Sequence, residues 1–275
     1  MDPHRKDVPL IEMRGITKSF GAIQALCGAD LKLMPNEVLG LVGDNAAGKS
    51  TLMKTLTGVH RLDSGEILFE GKPVIFDSPR ASRAHGIEMI YQNLALAPNL
   101  DVVANVFLGR EKTRAFSSGW LHWLDERSME SDTRSLLDRL RINISSVRTN
   151  VERMSGGQQQ AVAIARAVAF QARVVIMDEP TASLAVKEVG KVLDLIKNLR
   201  DSGVAVIIIS HRLQDIFTVA DRIMVLRGGQ SVADHRVTDT NMDDVVKYIV
   251  GAATHNFSAL PPSRRRAPSR KTVRW

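Results

Sequence analysis

The sequence contains one cysteine and no long apolar run. Cys27 has no partner for an internal disulfide bond, which fits a reducing compartment, and we expect it to serve in packing. The longest apolar stretches, such as VAVIII at residues 204–209, fall far short of the roughly 18 residues that span a bilayer. The charged opening, MDPHRKDVPL, lacks the apolar core of a signal peptide. We therefore expect a chain without a membrane span that stays in the cytoplasm.

The net charge of +7 is unevenly distributed. Residues 252–275 hold six basic residues and no acidic one, which leaves 31 basic against 30 acidic residues in residues 1–251. The body is therefore nearly neutral, and we expect no nucleic-acid partner for it. The tail is rich in Pro, Ser and Arg and is predicted to be disordered. It is a solvated extension or a weak contact with anionic lipid or nucleic acid.

Strand-length apolar runs alternate with helical patterns along most of the chain. The predicted strands are residues 37–43, 86–92, 172–180, 204–210 and 221–229. The clearest helix patterns are residues 125–142 and 186–203. Continuous β-branched strands that alternate with helices predict an α/β fold whose mostly parallel sheet is covered on both faces. Residues 93–153 lack strand patterns, and we expect them to form an inserted, mostly helical subdomain.

The stretch GDNAAGKST, residues 43–51, fits the phosphate-binding P-loop pattern between a predicted strand and a predicted helix. Glycines let the backbone turn so that successive N–H groups point at phosphate oxygens, beside the positive end of the helix. Lys49 is expected to reach the β- and γ-phosphates, and Ser50 to offer an oxygen to Mg²⁺. The residues expected to hold ATP here are Gly43, Asp44, Asn45, Ala46, Ala47, Gly48, Lys49, Ser50 and Thr51.

Two carboxylates follow a second buried strand, in VVIMDEP. Asp178 is expected at the carboxyl edge of the sheet, beside the P-loop, where it can hold Mg²⁺. Glu179 comes next and is expected to polarise the attacking water as a general base. These elements predict a nucleotide hydrolase, but small GTPases, motor ATPases and many kinases share them.

The stretch that separates these classes is MSGGQQQAVAIARAVA, residues 154–169. Its opening places a serine as the N-cap of a long helix. The order of this motif before VVIMDEP resembles the signature of ATP-binding cassette (ABC) proteins. The resemblance covers nearly all of residues 8–251 and implies a P-loop NTPase (RecA-like) core, an N-terminal antiparallel β subdomain and a helical subdomain at about residues 93–160. The implied signature residues are Ser155, Gly156, Gly157 and Gln158.

Further site residues are implied by the resemblance alone. Phe20 matches the aromatic residue that stacks on adenine. Gln92 matches the glutamine that touches Mg²⁺ and links the core to the helical subdomain, and His211 matches the histidine that contacts the γ-phosphate. The catalytic residues implied are therefore Glu179, His211 and Gln92. The family also implies a head-to-tail dimer, in which the signature of one subunit caps the ATP held by the other.

Finer resemblance favours importers of monosaccharides with a single cassette, similar to fructose- and ribose-type systems. LALAPNLDVVANVFLGRE and SHRLQDIFTVADRIMVLRGG look like the matching segments of that group. The implied partners are a second ABC subunit in a head-to-tail homodimer, a membrane permease and, indirectly, a sugar-binding protein outside the membrane; the sequence leaves open whether the second cassette is identical. The implied location is the cytoplasmic face of the inner membrane. The alternatives are an ABC transporter for another solute or a soluble ABC ATPase that acts on DNA or ribosomes.

Three segments leave questions open. Ala46 stands where ABC loops commonly have glycine, and its methyl group matters only if the residue takes a positive φ. We expect the loop to remain competent. Ala185 stands where the common family pattern has Asp. In residues 112–126, Trp120 and Trp123 contribute either to the core of the helical subdomain or to a permease contact.

Overall fold

The computed structural model describes residues 8–115 and 122–252. The strands are β1 (Ile11–Phe20), β2 (Ile23–Leu33), β3 (Val38–Val42), β4 (Ser64–Phe69), β5 (Lys72–Val74), β6 (Ile87–Ile90), β7 (Thr113–Ala115), β8 (His122–Leu124), β9 (Val174–Asp178), β10 (Ala205–Ile209), β11 (Arg222–Arg227) and β12 (Gln230–Arg236). The helices are α1 (Lys49–Leu56), α2 (Pro79–Ala84), α3 (Val102–Phe107), α4 (Glu126–Arg139), α5 (Gly156–Val168), α6 (Val186–Asp201), α7 (Leu213–Val219) and α8 (Met242–Val250).

The central sheet has six strands in the order β12-β11-β3-β10-β9-β6. All neighbouring pairs are parallel except β11 and β12. Strands β3 and β10 are buried along their whole length, as continuous apolar strands must be when both sheet faces are covered. The predicted α/β fold with a mostly parallel sheet is confirmed.

A second, antiparallel sheet is formed by strands in the order β2-β1-β4-β5. Its buried side chains share one apolar cluster with α1 and with one face of the central sheet. This sheet is the antiparallel β subdomain that the family resemblance implied. The packing fixes the start of α1, and therefore the loop before it, between the two sheets.

The inserted region contains α3, α4 and the beginning of α5, whose buried side chains join the cluster on the other face of the central sheet. Residues 93–153 carry no strand pattern in the sequence, but β7 and β8 form a short antiparallel pair there. Three-residue strands are too short to show an alternating pattern in the sequence. Trp123 lies on this pair with 66% of its surface exposed, so it is not a core residue. Trp120 and the basic tail from residue 253 lie outside the described residues.

Within residues 8–115 and 122–252, no helix is long and apolar enough to cross a membrane.

Candidate functional site

The loop between β3 and α1 depends on glycine at two positions. Gly43 has φ 152° and Gly48 has φ 101°, values that side-chain-bearing residues rarely adopt. A Cβ on Gly43 would collide with the carbonyl oxygen of Leu226, and one on Gly48 would lie 2.7 Å from the carbonyl oxygen of Ala25. The backbones of β11 and β2 therefore pack closely against this loop and restrict its conformation.

Ala46 takes a left-handed conformation, with φ 66°. The sequence left open whether this position needs a positive φ, and the structure shows that it does. An L-residue with a Cβ loses about 1–2 kcal/mol in this region relative to the right-handed one. A hydrogen bond from the N–H of Ala47 to the carbonyl oxygen of Asp44, 3.1 Å long, closes the turn around it.

Lys49 is tied to its own loop. Its Nζ donates hydrogen bonds to the carbonyl oxygens of Gly43 (2.7 Å) and Asp44 (2.9 Å). Burial lowers the pKa of the Lys49 ammonium, and the charges of Glu179 and Asp178 offset part of that effect. The ammonium group is thus held at the floor of the loop, close to the position that a bound phosphate would occupy.

Asp178 and Glu179 follow one another at the carboxyl end of β9. Asp178 pairs with Ile209 of β10, so its carboxylate lies at the edge of the sheet beside the loop. Burial raises the pKa of Asp178, and the neighbouring charge of Glu179 raises it further, while Lys49 acts in the opposite direction. The pair therefore concentrates negative charge that a bound cation would offset.

Glu179 contacts His211 across two neighbouring strand ends. Its Oε1 accepts a hydrogen bond of 3.1 Å from the backbone N–H of His211. Its Oε2 is buried and lies 2.8 Å from Nδ1 of His211, without hydrogen-bond geometry. The backbone of Glu179 has φ 52°, a conformation uncommon for a residue with a side chain. The contact places the expected base and the expected γ-phosphate histidine side by side.

These residues surround one cleft of about 880 Å³. It is lined by all nine residues of the loop, together with Ile23, Ala25, Val42, Gln92, Asp178, Glu179, Ile209, Ser210, His211, Leu213 and Ile249. The structure therefore brings together the predicted loop, both carboxylates, Gln92 and His211. Ile249 was missed, because it lies on α8, far along the chain, and no local motif marks it.

Phe20 is not among the lining residues of this cleft. The residue is 43% exposed, and its ring meets the ring of His60 edge-on at 5.0 Å and lies 5.5 Å from the ammonium of Lys18. Ile23, its partner in the β1–β2 register, does line the cleft and is 72% exposed. Adenine stacking by Phe20 therefore stays a prediction. Ile23 is a further apolar residue of the cleft, and no sequence motif marks it as a site residue.

The oxygen donors of the cleft fit Mg²⁺. Ser50, Asp178 and Gln92 all line it and offer hydroxyl, carboxylate and amide oxygens, which are hard ligands. No cluster of three or more His, Cys, Asp or Glu side chains suited to a metal occurs in the described part of the chain. A site with few protein ligands suits Mg²⁺, because this ion is usually completed by substrate phosphates and water.

The signature motif lies elsewhere. Ser155 is the N-cap of α5, and its side chain accepts a hydrogen bond from the N–H of Gln158, whose side chain bonds back to the N–H of Ser155. This reciprocal pair is a capping box. Ser155, Gly157 and Gln158 line a separate cavity of about 550 Å³ between α5 and α6. The signature therefore does not join the phosphate cleft of its own chain.

The chain matches the family model described as "ABC transporter" over residues 26–182. It is 45% identical over 244 residues to the xylose/arabinose import ATP-binding protein of Sulfolobus acidocaldarius, covering 89% of this chain and 95% of that protein. It is also 45% identical over 246 residues to the fructose import ATP-binding protein of Rhizobium meliloti, with 89% and 95% covered. A ribose import ATP-binding protein of Streptomyces coelicolor is 40% identical, but only 51% of its length is covered.

Solved structures agree with these matches. The ADP conformation of an ATP-binding cassette of an ABC transporter aligns with a TM-score of 0.74 at 25% identity, covering 88% of this chain and 99% of that one. A nucleotide-free cassette aligns with a TM-score of 0.75 at 24% identity, covering 88% and 95%.

Proposed function

This chain belongs to the ABC transporter family and is an ATPase, and from that premise we propose that it energises the import of a monosaccharide. The observation that carries the proposal is the near full-length match to two proteins named for sugar import. Those names cover pentoses and a hexose, so the proposal extends to monosaccharides as a class.

The geometry of the cleft supports ATP hydrolysis by its own residues. The N–H groups of the loop and Lys49 hold the phosphates. Glu179 accepts a proton from the water that attacks the γ-phosphorus, and His211, beside it, stabilises the charge on the transferred group. When bound, Mg²⁺ would be held by Ser50, Asp178 and Gln92 and would neutralise phosphate charge.

A complete site requires a second copy of the chain. The signature lines one cavity and the phosphate loop another, so a single chain cannot cap its own nucleotide with Ser155. In a head-to-tail pair, Ser155 to Gln158 of each subunit cap the ATP held by the other. ATP binding then closes the pair, and hydrolysis opens it.

The groove beside Gln92 is a suitable contact for a permease. Tyr91 and Leu108 are exposed apolar residues on its lining, and it lies between the core and the helical region with a volume of about 260 Å³. Closure of the dimer would move this groove and so act on the transmembrane subunits. The chain would therefore be held at the cytoplasmic face of the inner membrane, and a sugar-binding protein outside would deliver the substrate.

Uptake in cells tests the proposal. Deletion of the gene should abolish uptake of at least one labelled monosaccharide among xylose, arabinose, fructose and ribose, and the wild-type gene should restore it. Glu179→Gln should not restore uptake, whereas Glu66→Gln, which alters an exposed carboxylate outside the cleft, should. Unchanged uptake of every monosaccharide in the deletion strain would favour an ABC transporter for another solute.

A further inference from the structure

A buried hydrogen bond joins the two segments that follow Glu179 and His211. The hydroxyl of Thr181 donates to Oδ2 of Asp215 over 2.6 Å. Thr181 is fully buried, and Asp215 is 4% exposed. Thr181 comes two positions after Glu179, and Asp215 comes four positions after His211. Neither Thr181 nor Asp215 lines the phosphate cleft, so their bond does not act on a nucleotide directly.

The turn that carries Glu179 has an unfavourable backbone conformation. Glu179 has φ 52°, its N–H donates to the carbonyl oxygen of Ile209 over 2.9 Å, and its own carbonyl oxygen accepts from the N–H of Ala182 over 3.3 Å. A residue with a side chain stays in this conformation only where its surroundings enforce it. Thr181 lies inside this turn, so a bond to its side chain restrains the backbone that carries Glu179.

The turn that carries His211 is held by Asp215. Asp215 lies in the first turn of α7, and its N–H donates to the carbonyl oxygen of Arg212 over 3.0 Å. Nε of Arg212 lies 3.5 Å from the same carboxylate oxygen that accepts from Thr181. The N–H of Arg212 donates to Oγ of Ser210 over 3.0 Å, so these two residues are connected on either side of His211. Asp215 is therefore linked to the turn around the histidine and, through Thr181, to the turn of the expected base.

The direct contact between Glu179 and His211 does not fix their separation by itself. It consists of one bond from the backbone N–H of His211 and an approach of Nδ1 to Oε2 without hydrogen-bond geometry. The side chain of His211 is 65% exposed, so packing restrains it little. A hydrogen bond to a carboxylate is stronger than one between neutral groups. The bond between Thr181 and Asp215 is therefore suited to set the distance between the two turns.

We propose that Asp215 is a positioning residue for ATP hydrolysis: through Thr181, it holds the turn of Glu179 at the distance from His211 that phosphoryl transfer requires. The inference rests on the roles proposed above for Glu179 and His211. Loss of the bond should lower kcat and leave the KM for ATP unchanged, because the phosphate loop is untouched. A pair that only stabilised the fold would lower the melting temperature and leave the kcat of the folded protein unchanged.

The test compares the steady-state ATPase kinetics of the purified chain and its variants. Thr181→Val removes the hydroxyl and keeps the branched shape, and it should lower kcat by about 10- to 100-fold, the order that misplacement of a reacting group by about 1 Å costs. Thr181→Ser keeps the hydroxyl and should retain at least about half of the wild-type kcat. The matched control is Thr218→Val, which removes an exposed hydroxyl that bonds only within α7, to the carbonyl oxygen of Gln214, and should leave kcat unchanged.

A second variant covers the case in which Thr181→Val does not fold, which melting temperatures reveal. Asp215→Asn keeps the shape and an acceptor oxygen but removes the charge. It should lower kcat by about fivefold, the difference between a charged and a neutral acceptor, at an unchanged KM. A wild-type kcat in Asp215→Asn would overturn the positioning role.

The other outcomes separate the positioning role from the proposed function. An unchanged kcat for folded Thr181→Val overturns the positioning role, and so does an equal loss in Thr181→Ser or in Thr218→Val. Glu179→Gln is measured in parallel. If it turns over at the wild-type rate, the role of Glu179 is wrong and the positioning role fails with it. An inactive Glu179→Gln beside a fully active Thr181→Val refutes the positioning role alone.

Discussion

The phosphate half-site and the signature half-site are built in opposite ways. The phosphate half-site, residues 43–51 with Asp178 and Glu179, contains non-glycine residues with positive φ and charged groups with shifted pKa values. The signature half-site, residues 155–158, starts a helix with a complete capping box and carries no charged side chain of its own. The phosphate half-site is therefore strained and electrostatically unfavourable, whereas the signature half-site has ordinary helix-start geometry with its hydrogen bonds formed.

This contrast indicates which half-site should be stabilised more when nucleotide binds. Buried charge and uncommon backbone conformations persist only where the surrounding structure enforces them, and they are concentrated at functional sites. Phosphates and a cation would compensate Lys49 and Asp178, so ATP should stabilise the phosphate half-site first. The hydrogen bonds of the signature half-site are already formed within its own capping box.

The largest expected effect is in the phosphate half-site. Glu179→Gln should reduce ATP hydrolysis by about 10²- to 10⁴-fold, the usual contribution of a general base. ATP binding should persist, because the loop and Lys49 are intact, so the variant should accumulate as an ATP-bound dimer. Steady-state ATPase assays and light scattering measure both effects, and near-normal turnover would remove Glu179 from the role of base.

Substitution of Asp178 should change stability and activity in opposite directions. The pKa of folded Asp178 is raised above its ordinary value of 3.8, so the ionised carboxylate destabilises the nucleotide-free fold. Asp178→Asn should therefore raise the melting temperature without nucleotide while abolishing most ATPase activity. The gain should be small at acid pH and should grow as pH rises through the folded pKa, because the wild type loses stability there as the group ionises. A lower melting temperature at neutral pH would contradict this account.

Ala46→Gly probes the strain in the loop. Glycine should relieve about 1–2 kcal/mol of backbone strain but lose about 0.4–1 kcal/mol through the greater entropy of the unfolded chain. The free energy of unfolding in urea should therefore rise by about 0–1.5 kcal/mol. ATPase activity should stay within about threefold of wild type, because the loop conformation is already formed. An increase by orders of magnitude would show that the methyl group impairs the native loop.

The smallest expected effect is beside the signature half-site. Ala185→Ser would complete the capping box of α6 with Glu188 and should raise the free energy of unfolding by about 0.5–1 kcal/mol. Urea denaturation measures the change, and Ala185→Gly is the control, since it offers no side-chain acceptor. A gain of the same size in the glycine variant would exclude capping as the cause.

Much of the fold could be predicted because its strands are strongly patterned. β3, β9 and β10 are continuous apolar runs, and the polar residues that follow them meet at one edge of the sheet. The three-residue strands β7 and β8 were missed because they are too short for a periodic signal. The β subdomain was implied by family resemblance rather than by its own pattern.

The candidate site was predictable in its motifs and not in its contacts. The loop, Asp178 and Glu179 follow from local sequence and strand order. The positive φ of Ala46 could not be predicted from the residue type, since alanine disfavours this conformation. The approach of Glu188 to Gly157 depends on how α5 and α6 pack, which no local pattern specifies.

The central claim is that each active site is assembled from two chains, and mixing two inactive variants tests it most directly. Lys49→Ala disables the phosphate half-site, and Ser155→Arg blocks the signature half-site. A mixed dimer of the two contains one site in which both halves are intact. Random mixing should therefore restore up to about a quarter of wild-type ATPase activity, because half of the dimers are mixed and each has one working site. A mixture no more active than either variant alone would contradict the account.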